Sequence, residues 1–342
     1  MSKRALVISG GGSKGAFAVG VIKQLATQFP AIGFDIFIGT STGSLIAPLA
    51  ATGEIDVLEQ FYTGVKTSDI IIKGNVVTRI LSDNALFDAG PLASLISRTY
   101  DDKRSNTIFG LPKELFLVTT CLQTGQPVYF ATKDHPIVSD FEIEKLNTPD
   151  ELRRAIMASA CQPVFMPPIE VHKGKLPMRQ FVDGGVREYA GVQLAIDAGA
   201  DEIYAILLTP GDDPPVEQTY NDAFTILERT IDIFTTDVAV NNIRIPLQYN
   251  LALRYIESAK EKMLAAGITQ AAIDGFFQAP FDNPFAGKKP LKIYVIRPDA
   301  PLGGGEGGLD FDPVAMKGMI AKGETTISDF MASLPPEGST AV

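Results

Sequence analysis

Residues 34–53 read FDIFIGTSTGSLIAPLAATG, and this stretch decides the fold. FDIFI is a short apolar run typical of a buried strand, and LIAPLAATG is typical of a helix. Between them, Gly39-Thr40-Ser41-Thr42-Gly43 matches the G-x-S-x-G pattern, which places a serine on a sharp turn from strand to helix. The small glycines would leave the Ser41 hydroxyl exposed as a nucleophile, with the positive end of the helix directed at it. The alternative interpretation is a structural Ser/Thr turn.

The sequence around this turn predicts an α/β protein. RALVI (4–8) reads as a buried strand, GGGSKG (10–15) as a loop and AFAVGVIKQLATQF (16–29) as a helix, so the chain starts as strand, loop, helix, strand, turn and helix. That order indicates a mostly parallel central sheet flanked by helices in three layers. Further strands are predicted at 114–122, 126–132, 201–210 and 291–298, and further helices at 149–162, 216–266 and 311–334.

The domain organisation follows from this pattern. No internal repeat or linker stands out, which predicts one domain over residues 1–342. Its core would comprise about 4–210 and 290–330, with a helical insertion at about 212–290. The apolar residues of 55–90 and 215–285 are candidates for the walls of a substrate site.

Composition excludes several classes of protein. The 342 residues carry a formal net charge of -10, so nucleic acid is not expected as a partner. Strong docking of the whole chain to an anionic membrane is disfavoured, whereas a transient contact with a membrane surface is still allowed. Cys121 and Cys161 form no CxxC pair, and the N-terminus makes a poor signal peptide, which favours a reducing cytoplasm. The sequence carries no signal of oligomeric state.

The glycine loop at 10–15 has two functional interpretations. Gly10, Gly12 and Gly15 satisfy G-x-G-x-x-G after a strand and before a helix, as in dinucleotide-binding proteins. The same backbone amides could instead hold the oxyanion of an acyl-transfer reaction. Asp35 stands at about the spacing of a ribose-binding acid, but at the start of its strand rather than its end. A plain tight turn is the third interpretation.

A serine nucleophile needs a base, and the chain offers unusual candidates. Its two histidines, His135 and His172, lie in turn-like segments, and no histidine follows them as the usual triad order requires. Asp183 in FVDGG lies at a predicted strand end, where the strands of a parallel sheet would bring it to the edge that carries Ser41. Burial beside Phe181 would raise its pKa and make it a better base. The alternative interpretation is that Asp183 only caps a turn.

Together these motifs resemble the patatin-like phospholipases. That family combines a GGGxxG loop, a GxSxG serine and a DGG or DGA aspartate, in the order found here at Gly10–Gly15, Gly39–Gly43 and Asp183-Gly184-Gly185. The stretches 84–96, 155–168 and 309–320 are also similar to it. One departure is VREYAG at 186–191, where many members carry Asn and Pro.

The resemblance implies a serine acyl hydrolase with a Ser41–Asp183 dyad that uses no histidine. The amides of Gly11, Gly12 and Ser13 would form the oxyanion hole, and neither a metal nor a cofactor would be needed. The implied substrate is a fatty-acyl ester of a lipid: a phospholipid, a lysophospholipid or an acylglycerol. The competing hypotheses are a non-catalytic lipid- or nucleotide-binding protein on the same fold, and a dinucleotide-dependent enzyme.

Overall fold

The structure is a computed structural model. It describes residues 2–73, 85–135, 141–171, 178–211, 217, 219–278, 283–285 and 287–334.

Nine of the strands in the described residues form one sheet, and β3 and β4 form a separate pair. The strands are β1 (Arg4–Ile8), β2 (Ile36–Thr40), β3 (Ile72–Lys73), β4 (Phe87–Asp88), β5 (Glu114–Cys121), β6 (Pro127–Ala131), β7 (Glu142–Lys145), β8 (Ile169–Val171), β9 (Arg179–Asp183), β10 (Glu202–Ile206) and β11 (Lys292–Ile296). The sheet order is β11-β10-β1-β2-β5-β6-β7, and the five strands from β11 to β5 are parallel. The predicted α/β fold is therefore confirmed.

Helices cover both faces of the sheet. In chain order they are α1 (Gly15–Gln28), α2 (Thr42–Thr52), α3 (Ile55–Gly64), α4 (Gly90–Thr99), α5 (Asp102–Gly110), α6 (Pro149–Ser159), α7 (Val192–Asp197), α8 (Ala223–Ala265), α9 (Gln270–Phe277) and α10 (Pro313–Ser333). Buried side chains of α1, α2, α3, α6 and α10 form the core on one face, and those of α7 and α8 form the core on the other. Because both faces are covered, the central strands are apolar throughout, as parallel sheets require.

The strands predicted at 114–122 and 126–132 are present as a hairpin, since β5 and β6 pair antiparallel and Gly125 in the connecting turn has a φ of 66°. The predicted reason for the placement of Asp183 is wrong, however. Its strand β9 is not one of the parallel strands, because it runs antiparallel to β5, with Asp183 opposite Thr119. β7 and β8 are short and only partly buried, and their weak apolar pattern explains why the sequence does not reveal them.

The segment predicted as a helical insertion contains α8, a helix of 43 residues, and α9. Ala239 and Ile243 of α8 are buried against the sheet. Among the described residues, no helix has both the length and the apolarity that crossing a membrane requires.

Candidate active site

Ser41 lies on a strained turn between β2 and α2. Its φ of 55° and ψ of -123° are unusual for a residue with a side chain. Such a conformation costs on the order of 1–3 kcal/mol and persists only where the surroundings enforce it. Here the Ser41 carbonyl accepts hydrogen bonds from the amide of Ser44 at 2.9 Å and from its hydroxyl at 2.6 Å.

The two glycines of the motif permit this turn because the backbone passes too close for a side chain. A Cβ on Gly39 would lie 2.2 Å from the carbonyl oxygen of Gly43, and one on Gly43 would lie 2.3 Å from that of Ile8. The turn is therefore packed against both its own helix and the end of β1. The predicted sharp turn at 39–43 is present.

Asp183 ends β9 next to Ser41. The carboxyl is 5% exposed, and one of its oxygens accepts a hydrogen bond from the amide of Gly185 at 2.7 Å. Burial raises the pKa of Asp183 to about 6, although hydrogen bonding from the Ser41 side chain and from the Gly185 amide opposes the shift. Gly184 packs on the backbone of Val118, where a Cβ would lie 2.5 Å from the carbonyl oxygen. The structure thus brings together the two residues that the sequence singled out.

Ser159 links the two halves of this site, and sequence reasoning missed its role. It ends α6 and is fully buried. Its Oγ accepts a hydrogen bond from the Ser41 amide at 3.0 Å and donates one to the carbonyl of Val118 at 2.6 Å. Val118 lies in β5 beside Thr119, the partner of Asp183. The signal that could have identified Ser159 is a serine among the apolar residues of the helix end AIMASA.

The glycine loop lies directly beside the serine. A Cβ on Gly10 would lie 3.2 Å from the Cβ of Ser41. Gly11 and Gly12 have positive φ, Gly12–Lys14 forms a short 3₁₀ turn, and α1 begins at Gly15. The hydroxyl of Ser13 is buried, with no hydrogen-bond partner among the described residues. The loop is therefore in position to offer backbone amides to a group bound at Ser41.

Residues 303–311, which we call the glycine strap, cover this loop. A Cβ on Gly12 would lie 2.2 Å from the carbonyl oxygen of Gly308, so the two backbones are in direct contact. The strap is held by two side chains: Gln162 Nε2 donates to the Gly307 carbonyl at 3.1 Å, and the Phe311 amide donates to Thr67 Oγ1 at 2.9 Å. In the sequence, GGGEGG at 303–308 is typical of a flexible loop and does not reveal these contacts.

A narrow apolar pocket opens beside Ser41 under the strap. Its walls include Leu45, Phe61, Ile70, Leu92, Met166 and Phe311. The open space is about 30 Å³, room for little more than one or two water molecules. Residues 55–90 contribute walls as predicted, whereas none of the described residues of 215–285 lines this pocket.

The other residues considered as a catalytic base or a ribose-binding acid do not lie beside Ser41 in the described structure. His135 Nε2 is 3.5 Å from Glu114 at the start of β5, and five residues of strand, roughly 16 Å, separate that level from Asp183. His172 lies outside the described residues. Asp35 accepts a hydrogen bond from the Arg4 amide at 2.9 Å, at the amino ends of β1 and β2. It is therefore at the opposite edge of the sheet from the glycine loop, unlike a ribose-binding acid.

The sequence matches a known protein family. The family model described as "Patatin-like phospholipase" matches residues 6–196. A cUMP-AMP-activated phospholipase of Escherichia coli is 41% identical over 133 residues, which are 37% of this chain and 37% of that protein. The crystal structure of VipD from Legionella pneumophila superposes with a TM-score of 0.43 at 11% identity, covering 97% of this chain and 67% of that one. The chain belongs to the patatin-like phospholipase family.

Proposed function

We propose that this chain is a serine acyl hydrolase that cleaves fatty-acyl esters of lipids, with Ser41 as nucleophile and Asp183 as base. The observation that carries the proposal is a serine on a strained turn beside a buried carboxyl with a pKa of about 6. A serine hydroxyl attacks only when a neighbouring group takes its proton. A carboxyl whose pKa lies near neutral pH suits that task better than an ordinary one.

In the first step, Ser41 Oγ attacks the ester carbonyl while its proton passes to Asp183. The tetrahedral intermediate collapses, the alcohol leaves with the proton from Asp183, and the acyl group stays on Ser41. Water then attacks the acyl-Ser41 ester and gives its proton to Asp183. The proton returns to Ser41 Oγ as the second intermediate collapses, so that a fatty acid and free enzyme are formed.

The oxyanion of both intermediates would be held by the backbone amides of Gly11, Gly12 and Ser13. The contact between Gly10 and Ser41 supports this role, because it places the loop beside the carbonyl under attack. The N-terminus of α2 adds a positive partial charge at the same point. One such donor typically contributes about 3 kcal/mol to the transition state.

The apolar pocket favours a lipid ester over a small polar one, so the substrate would be a phospholipid, a lysophospholipid or an acylglycerol. Reaching such a substrate implies transient contact with a membrane surface. Cys121 and Cys161 are buried and unpaired, which fits a reducing cytoplasm. The matched Escherichia coli protein is named for activation by cUMP-AMP, so assays of this chain belong both with and without that nucleotide.

A fluorophosphonate probe tests the proposal, because it reacts only with an activated serine. We expect the wild-type chain to be labelled and Ser41→Ala to lose both labelling and hydrolysis of a phospholipid. The matched control is Ser105→Ala, a buried serine of α5, which should stay labelled. An unlabelled wild type that is folded, with or without cUMP-AMP, contradicts the proposal. Calorimetric titration with NAD then tests the dinucleotide alternative.

A further inference from the structure

Helix α8 presents an apolar row to solvent. Its members lie within about 80° of the helix circumference at 3.6 residues per turn. We call this row the α8 seam, and its six residues, each 36% to 76% exposed, are Ile226, Ile233, Val240, Leu247, Leu251 and Tyr255. The first four follow one another at intervals of seven residues, the spacing of a helix that packs against another helix.

The α8 seam is not the face through which α8 packs against the rest of this chain. Ala239 and Ile243 are buried against the sheet, and Leu253 is buried as well. Asn250 exchanges hydrogen bonds with the backbone of Leu291, at 2.7 and 2.9 Å. At 3.6 residues per turn these residues are centred roughly 115° around the helix from the seam, so the seam faces solvent rather than the core.

The size of the seam indicates a protein interface. Phe234 and Ile245 flank it and are 66% and 59% exposed. With them, the apolar surface is on the order of 800 Å², about what each partner buries in a stable complex. Apolar patches on soluble monomers are usually smaller, roughly 300–600 Å².

Two opposite charges interrupt the seam and specify how a partner would lie. Asp237 and Arg244 are exposed on the same side of α8, seven residues apart, and Asn241 bridges them with hydrogen bonds of 3.3 and 2.8 Å. A parallel pair of α8 helices in register would place like charges opposite each other. An antiparallel pair centred midway between the two residues would place Asp237 of each copy opposite Arg244 of the other.

We propose that the α8 seam is a two-fold homodimer interface, with the α8 helices of two copies packed antiparallel. Such an interface must be self-complementary, and the spacing of Asp237 and Arg244 meets that condition. A membrane is the less suitable occupant, because the formal net charge of -10 opposes an anionic bilayer. The middle of α8 is fixed to the rest of the chain by hydrogen bonds from the Tyr189 amide to Asn242 and between Asn250 and Leu291.

Charge reversal on the full chain tests the interface by light scattering and sedimentation. We expect the wild type to have twice the mass of one chain. Arg244→Asp and Asp237→Arg should each weaken dimerisation at least about tenfold, since they place like charges opposite each other. The double variant, Asp237→Arg with Arg244→Asp, should restore the dimer. The control is Lys262→Asp, which changes an exposed charge of α8 beyond the paired segment and should leave the mass unchanged.

Several results would overturn the inference. They are a wild type that stays monomeric at high concentration, a folded double variant that stays monomeric, and single reversals that remain dimeric. In Ile233→Asp, loss of binding to phosphatidylglycerol–phosphatidylcholine vesicles with unchanged mass would assign the seam to lipid instead. Every substituted side chain is exposed, and thermal melting of each variant tests whether it is folded.

Discussion

At the scale of the residue, the burial of Asp183 affects both the activity and the stability of the protein. Burial raises its pKa to about 6, so below that pH the carboxyl holds a proton and cannot accept one from Ser41. We expect kcat/KM to rise with pH around a midpoint near 6. The control is Glu188→Gln, which removes a half-buried carboxyl whose pKa is also raised by desolvation, to about 8, and should leave this midpoint unchanged.

The free energy of unfolding should fall as the pH rises, whereas kcat/KM should rise. Between about pH 4 and 6 the folded chain keeps the Asp183 proton and the unfolded chain releases it, so stability falls as the pH rises through this window. The shift of about two pKa units corresponds to about 3 kcal/mol at pH 7. Asp183→Asn should therefore be inactive yet more stable than wild type at pH 7.5 in urea unfolding, with no advantage near pH 4. An active Asp183→Asn chain would contradict the role of base.

Ser159 is expected to act as a positioning residue for Ser41. Ser159→Ala leaves the Ser41 amide and the Val118 carbonyl without their partner, which costs about 1–3 kcal/mol of stability. Because the strained turn then loses one restraint, we expect kcat to fall at least about tenfold with little change in KM. The pH midpoint should stay near 6, since Asp183 is untouched.

The matched control for Ser159 is Ser105→Ala. Ser105 is also fully buried and donates to the Tyr100 carbonyl at 3.1 Å, but it lies in α5. The Ser105→Ala variant should be less stable than the wild type and should have the same kcat. Equal kcat values for the wild type and Ser159→Ala would show that Ser159 is only structural.

At the scale of the element, the glycine strap forms part of the pocket wall, and on the proposed function it has to move before a lipid chain can enter. Thr67→Val and Gln162→Leu each remove one of its tethers. A tether of this kind contributes about 1 kcal/mol, so each change should speed the labelling of Ser41 by a bulky fluorophosphonate about fivefold. A small fluorophosphonate should react at an unchanged rate.

The control for the strap is Thr325→Val on α10, whose hydroxyl donates to the Ala321 carbonyl one turn earlier in the same helix. This change should not alter the rate at which either fluorophosphonate labels Ser41. If the two tether variants label at the wild-type rate with the bulky probe, the strap does not limit access.

At the scale of the whole molecule, the sequence predicts some parts of the structure much better than others. The turn at 39–43 is encoded locally, since a strand, two glycines and a helix are contiguous, and its position could be predicted. Asp183 was identified from its DGG context, but the antiparallel direction of β9 depends on pairing with β5, which is distant in sequence. The roles of Ser159 and of the glycine strap depend on contacts between residues far apart in the chain, and neither gives a periodic pattern in the sequence.

The dependence of the site on the β5–β9 pairing also affects synthesis of the protein. The turn with Ser41 can form once β1, β2 and β5 have left the ribosome, because these strands are neighbours in the sheet. Asp183 takes its place only when the later strand β9 folds back onto β5. Until then a nascent chain holds a serine without the carboxyl beside it. On the proposed mechanism, an incomplete chain cannot attack the membranes of the cell that makes it.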